Sequence, residues 1–553
     1  MDPVEGEPLE NAYQSYFVPE VERKVAVGEK FSHTVVNTDK QPKSIVPMRF
    51  ISKLNLATKL SCLVVAASLV VAIGATTASA LDTSDYRQNT YGAPNHYCDP
   101  TRALNNSGAG TLVSPWNMSQ CSALPVAGDV VGILPGVSVD LPTTNSVRIP
   151  AFNPAHSGTP TSRIVFVTKY PAVNLASVET NPNRTEFRHD GGAPGIVGGV
   201  GVGNGCPMLG SYGQNYVTFD GFFVDMAEAY LREDSGVLRV ENTIGVHFRN
   251  FVVKGARLTI ASNPVIYRPN NSRDTVLSNF KAYDFVNDPT GSATPQGALF
   301  SDQYGDQNVL IEHFEIRNIS RGIFFKGTAN SATVFNYGTV QYGIVSNSSA
   351  CLQFNDLDFT QVTTVAFNLC YDINEVAAIF ISSETSPARN LLVHHNTVAR
   401  INSASINTSG GIYSRANGFA GNVTIRDNLV DINNGVFGHG ADFGEISTLP
   451  AVMNYNGYTK NGANVTWSFN GVQSNSLSAW RTATNRDLNS QVLSGTIFVD
   501  RTNGNFRIAA GHVAKTASSS GGELGAYAGP RVPGVDVSVD AAPAAPTNFR
   551  VGL

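Results

Sequence analysis

The sequence has little charge. Asp, Glu, Lys and Arg make up 15% of its 553 residues, against about 25% in ordinary globular domains. Its formal net charge is only −5, which excludes the chain-wide basic field of a nucleic-acid-binding protein. Cysteine is sparse at six residues, with neither a CxxC pair nor a zinc-ligand spacing. That excludes a dense disulfide scaffold and a zinc module. Beyond residue 81 no stretch keeps the 3.6-residue period of an amphipathic helix, so a helical bundle is excluded too. What is abundant is glycine, at 51 residues, within a composition that is 42% hydrophobic. That apolar content is too high for disorder and suits a β-rich extracellular protein.

Residues 48–80 carry export chemistry. Arg49, Lys53 and Lys59 precede an apolar run from Leu60 to Ala75, and Ala78-Ser79-Ala80 follows as a small-residue cleavage signal. A signal peptide over 48–80 with a mature start at Leu81 is expected. It leaves no stable membrane span after cleavage. Residues 1–47 are a polar extension without periodicity, which makes Met48 a candidate start. The alternative is a membrane anchor, for which the apolar run is short. Cys62 falls in this segment, and Cys98 with Cys121 is the best disulfide candidate. Cys206, Cys351 and Cys370 leave one thiol over.

The remainder is short β-rich runs divided by Gly, Asn, Ser and Pro. One nine-residue pattern recurs, apolar at its fourth and ninth places, with Asn or an apolar residue at the seventh. NLLVHHNTV (390–398), NVTIRDNLV (422–430) and NVLIEHFEI (308–316) are close copies. GVHFRNFVV (245–253), ATVFNYGTV (332–340) and CLQFNDLDF (351–359) are looser ones. A fixed core pattern at variable spacing predicts a solenoid with loop insertions. The chain must bend at the seventh place, where Asn396 and Asn428 suit an αL turn and a stacked ladder. The class expected is all-β, a right-handed parallel β-helix over 81–530, with a disordered tail over 531–553.

A second run follows: PVIYR (264–268), GALFS (297–301), GIFFK (322–326), GIVSN (343–347), AIFIS (378–382), GIYSR (411–415) and GVFGH (435–439). Strand alternation points the second and fourth places inward. The third-place column, with Phe324, Phe380, Tyr413 and Phe437, would then form an exposed aromatic stripe. The fifth-place column, Arg268, Ser301, Lys326, Asn347, Ser382, Arg415 and His439, would form a polar and partly basic stripe beside it. Rings beside hydrogen-bonding groups suit a long sugar chain, so Arg268, Phe324, Phe380, Tyr413 and Phe437 are the expected substrate contacts.

The organisation, with GDVVGILPGV at 128–137 and SGTPTSRIVFVTKYP at 157–171, resembles the pectate-lyase-like β-helix superfamily over roughly residues 85–530. The superfamily holds lyases, hydrolases, epimerases and binding proteins. The basic column favours a secreted lyase acting on an anionic polysaccharide. β-Elimination needs a base to take the proton α to a uronate carboxyl group and a cation to hold the developing charge. Lys326, Arg415 and His439 are the expected catalytic groups. A glycoside hydrolase is the first alternative, although the column holds none of the paired carboxylates hydrolysis uses. A non-catalytic glycan-binding or adhesin-like solenoid is the second. A calcium ion is a candidate cofactor at Asp302 and Asp306.

Overall fold

In the computed structural model, described residues run from 86 to 529. The segments 139–148, 189–194, 198–199, 203–207, 227–229, 232–235, 259–264, 288–298, 302–305, 327–336, 356–357, 375–376, 384–387, 402–409, 417, 434–438, 447 and 461–464 lie outside them. So do the polar extension, the export segment and the tail. The chain divides at residue 80, and every described residue belongs to the later unit. Among the described residues no helix is long and apolar enough to cross a membrane.

The unit is a parallel β-helix of three sheets, as expected. The first sheet climbs from His96–Cys98 through Val217–Asp220, His247–Arg249, Arg389–His394 and Val423–Arg426 to Val452–Asn454. One inward column follows its register: Phe166, Phe219, Phe248, Leu277, Ile311, Val340, Val365, Val393, Ile425 and Met453. The fourth place is therefore one core column in four of the six runs; ATVFNYGTV instead brings its ninth place, Val340, into it, and CLQFNDLDF puts Phe354 on the third sheet opposite Phe325 and Ile381. The ninth place of those four runs falls in another core column, on the second sheet: Val253, Ala282, Ile316, Val345, Cys370, Val398 and Val430. Parallel pairing demands that like residues lie over like, which is why the repeat shows in the sequence.

The corner between these sheets changes character along the axis. Phe251, Phe280 and Phe314 stack face to face in the earlier turns, with ring centroids 4.7 and 5.5 Å apart. Later the corner is a buried ladder of Asn368, Asn396, Asn428 and Asn456, each amide donating to the next at 3.0–3.1 Å. Gly343 joins the two, and a Cβ there would sit 2.0 Å from the Phe314 ring. The ladder is as expected, but the αL residues are those before it, Phe367, His395, Asp427 and Tyr455. The asparagines supply side-chain hydrogen bonds and leave the bend to their neighbours.

Two disulfides are present among the described residues. Cys98–Cys121 is the expected pair, near the start of the unit. Cys351–Cys370 links two buried residues 19 apart in sequence, and Cys206 lies outside the described residues. Closing a loop of that length restricts the unfolded chain by about 3 kcal/mol. Replacing both Cys351 and Cys370 by alanine should lower the urea unfolding free energy by about that amount.

Candidate functional site

The third sheet carries most of the candidate residues, and its register differs from the expected one. Ile323, Leu352, Ile379, Ile412, Ala441 and Trp467 form one inward column. GIVSN does not belong to this sheet. Its Ile344 pairs with Glu315 and Leu369 on the second sheet, and the strand over Ile323–Lys326 is followed by Leu352–Asn355. GALFS is slipped by one, with Leu299 opposite Ile323. GVFGH is slipped by five: Gly410 lies opposite His439 and Ile412 opposite Ala441.

The physical reason is a corner glycine. A Cβ on Gly411 would lie 2.1 Å from Val430, and one on Gly440 would lie 2.6 Å from Tyr458. The corner before this strand admits no side chain there, so Gly440 takes the place that Gly435 holds in the sequence alignment.

The outward columns are accordingly different. One reads Phe324, Gln353, Phe380, Tyr413, Asp442 and Ser468. The other reads Lys326, Asn355, Ser382 and Arg415. Lys326 and Arg415 share a column but stand three strands apart, roughly 14 Å. His439 leaves the column altogether. It sits opposite Gly410, about 16 Å along the strand from Arg415. The expected trio therefore does not converge. Arg268 lies in a separate short ladder, opposite Arg239. Phe437 and Asp302 lie outside the described residues, and only the backbone of Lys326 is described.

The aromatic stripe is not exposed. Phe324, Phe380 and Tyr413 are 2%, 6% and 1% accessible. Phe380 and Tyr413 stack at 5.2 Å and close a small apolar cluster with Ala377. Burial lets one ring shield the next, so these side chains form a second packing layer below the surface groups. The half-exposed Arg415 lies on that layer. Its guanidinium is 5.4 Å from the Phe380 ring centroid, and its Nε donates to Ser382 Oγ at 3.4 Å.

Beyond Tyr413 its column turns acidic. Asp442 accepts the Gly444 N–H at 3.0 Å, and Glu445 is exposed beside it. The Tyr413 side chain is buried, with the Glu445 and Asp442 carboxylates near its hydroxyl. Burial holds its phenol well above the ordinary value, and the Glu445 and Asp442 carboxylates add to the effect against the pull of Arg415. Tyr413 thus keeps its proton at any physiological pH. His439 Nδ1 is 2.8 Å from Thr466 Oγ1. Burial draws its pKa below the ordinary value, with Asp442 opposing and Lys460 assisting, so the imidazole is neutral at pH 7.

Gln353, Asn355 and Glu445 were not singled out by the sequence pattern, and Asp442 only as a carboxyl group lying just beyond its strand. Aligning the runs on their corner glycines would have brought out Asp442.

Asp306 does not fit a surface calcium site. It is fully buried and its Oδ1 accepts the Ser272 N–H at 2.8 Å. Among the described residues no group of three or more His, Cys, Asp or Glu side chains is placed to hold a metal.

Burial depresses other histidines besides His439: His247 to about 3, His394 to about 4, and His395 below its ordinary value. Below about pH 6.5 the unfolded chain binds protons that these folded imidazoles refuse, so stability falls as pH drops. Asp372, Asp431 and Asp487 are raised by burial and act oppositely above about pH 3.8. At about pH 5 all four histidines are engaged, whereas a carboxyl group counts only if its folded pKa has passed that pH. Urea midpoints should therefore be lower at pH 5 than at pH 7.5.

Comparison with known proteins finds fold likeness only. No family model matches the chain, and no curated protein does. Solved structures do. A rhamnogalacturonan lyase is 12% identical with a TM-score of 0.49, covering 80% of this chain and 98% of its own. Pectate lyase Pel9A is 13% identical with a TM-score of 0.39, covering 79% and 96%. A GH136 lacto-N-biosidase from Eubacterium ramulus is 10% identical with a TM-score of 0.35, covering 64% and 67%. Likeness at this level says nothing of chemistry, and the last of these names a different kind of enzyme from the first two.

Proposed function

We propose that this protein is an exported polysaccharide lyase that cleaves a uronate-containing glycan by β-elimination on the outer face of the third sheet. The observation that carries the proposal is Arg415. It is a half-exposed cation backed by the Phe380 ring and tied to Ser382. A guanidinium fixed in that way before substrate arrives can pair with a carboxylate in a bidentate fork and stabilise the negative charge that develops when the α-proton leaves. Export is supported by the residues of 48–80 and by two disulfides, which persist in oxidising compartments.

The test is incubation of the mature protein with alginate, pectate, rhamnogalacturonan and glycosaminoglycans. β-Elimination leaves a conjugated double bond at the new non-reducing end, and its ultraviolet absorbance should grow with time on at least one of these glycans. Absence of that signal on all of them removes the proposal.

One observation favours a second reading. The observed register brings Asp442 into line with Tyr413 and sets Glu445 beside it. Two carboxyl groups on one face are what a glycoside hydrolase uses. Reducing ends released without new absorbance would select that reading.

A further inference from the structure

The second sheet has an outer face that the proposed reaction does not use. Between that face and the connection around Ala172–Glu179 lies a cavity of about 360 Å³. Lys281 and Glu315 are neighbours on its floor, as are Tyr283 and Arg317. One wall is apolar: Ala172, Val173 and Val178 pack with Phe223 and Val252 as a cluster of their own.

The floor contains an unmet demand. Glu315 is 2% accessible. The Arg317 guanidinium holds its Oε1, while Oε2 is buried without a hydrogen bond. The Lys281 ammonium stands 3.8 Å from that Oε2, too far for a direct hydrogen bond. A hydroxyl group fits this gap, because it can donate to the carboxylate oxygen and accept from the ammonium at once. A buried polar atom left without a partner is costly, so the site favours any ligand that supplies such a group.

Charge narrows the ligand class. Glu315, Glu179 and Asp284 line the cavity against Lys281 and Arg317, and Arg317 is already engaged. An anionic ligand would meet more negative than positive charge. A neutral sugar brings hydroxyls for the floor and an apolar ring face for the opposite wall. The volume is at the small end of the range for ligand pockets, enough for a short saccharide.

We propose that this cavity is a binding subsite for a neutral sugar residue, separate from the third sheet and independent of the reaction proposed there. Saturation-transfer NMR on the mature protein tests it, with the methyl glycosides of glucose, galactose and xylose and with galacturonate as the anionic comparison. Transfer from at least one neutral glycoside is expected. It should fall at least tenfold in Lys281→Met and in Leu175→Trp, which fills the cavity from the apolar side without touching the ion pair. It should be unchanged in Arg415→Ala. Turnover of any acidic glycan should be unaffected by Lys281→Met. No transfer from any neutral glycoside would overturn the proposal and leave a cavity that holds water only. Undiminished transfer in both cavity variants would place the sugar elsewhere and overturn it too. Preferential binding of galacturonate would overturn the neutral class.

Discussion

Arg415→Ala is expected to lower kcat/KM on an acidic glycan by about 100-fold or more while leaving the melting temperature nearly unchanged. The size follows from removing a fixed charge that is aimed at charge developing in the transition state. The small effect on stability follows from position. The side chain is half-exposed, and its contacts with Phe380 and Ser382 lie on the outer surface of the sheet. Arg415→Lys separates two versions of the role. Lysine keeps the charge but loses the planar fork, so activity should recover only in part if the carboxylate is held in bidentate fashion. Steady-state kinetics on the glycan that gives the strongest absorbance signal reads both outcomes. Unchanged kcat/KM in Arg415→Ala would remove this residue from the mechanism.

Asn428→Ala should cost about 3–5 kcal/mol of stability, a large effect for one uncharged side chain. Asn428 is fully buried. Its amide donates to the Val393 and Arg426 carbonyls and to Asn456 Oδ1, while its own oxygen accepts from the Asn396 backbone and side chain. Alanine removes all of these at once and strands polar groups in a corner that water does not reach. Because each asparagine braces the next, the loss extends beyond one turn. Urea unfolding at pH 7.5 measures it, and exposed Asn489 provides the contrast. Asn489→Ala should change stability by no more than about 0.5 kcal/mol. Similar values for both variants would contradict the ladder's role.

The two predictions draw on features that differ in how well the sequence reveals them. The ladder was legible because parallel stacking forces like residues into columns. Asn396 and Asn428 occupy the same place in close copies of one repeat, and so do the core residues Ile311, Val393 and Ile425. Sites on the third sheet were legible only in part. AIFIS and GIYSR share both length and corner, so Ser382 and Arg415 fall opposite each other as expected. GVFGH resembles them in composition but not in position, since steric room at the corner decides the register and that room is set by Val430 and Tyr458 from other turns. A slip of five residues moved His439 to the far end of its strand and put Asp442 beside Tyr413. Burial of Phe380 and Tyr413 was also hidden, because alternation tells which side of a strand a residue faces and not what covers that side. The cavity on the second sheet had no sequence signal: Lys281 and Glu315 lie far apart in the chain and meet only through strand pairing.

Elimination and hydrolysis differ by one water molecule. Elimination breaks the glycosidic bond without consuming water, whereas hydrolysis places a water oxygen on a product. Digesting a responsive glycan in water enriched in oxygen-18 and weighing the fresh products by mass spectrometry therefore tests the central proposal directly. Unsaturated products that carry no label from the cleavage step are predicted. Saturated products with one labelled oxygen per broken bond would contradict the lyase and point to Asp442 and Glu445 instead.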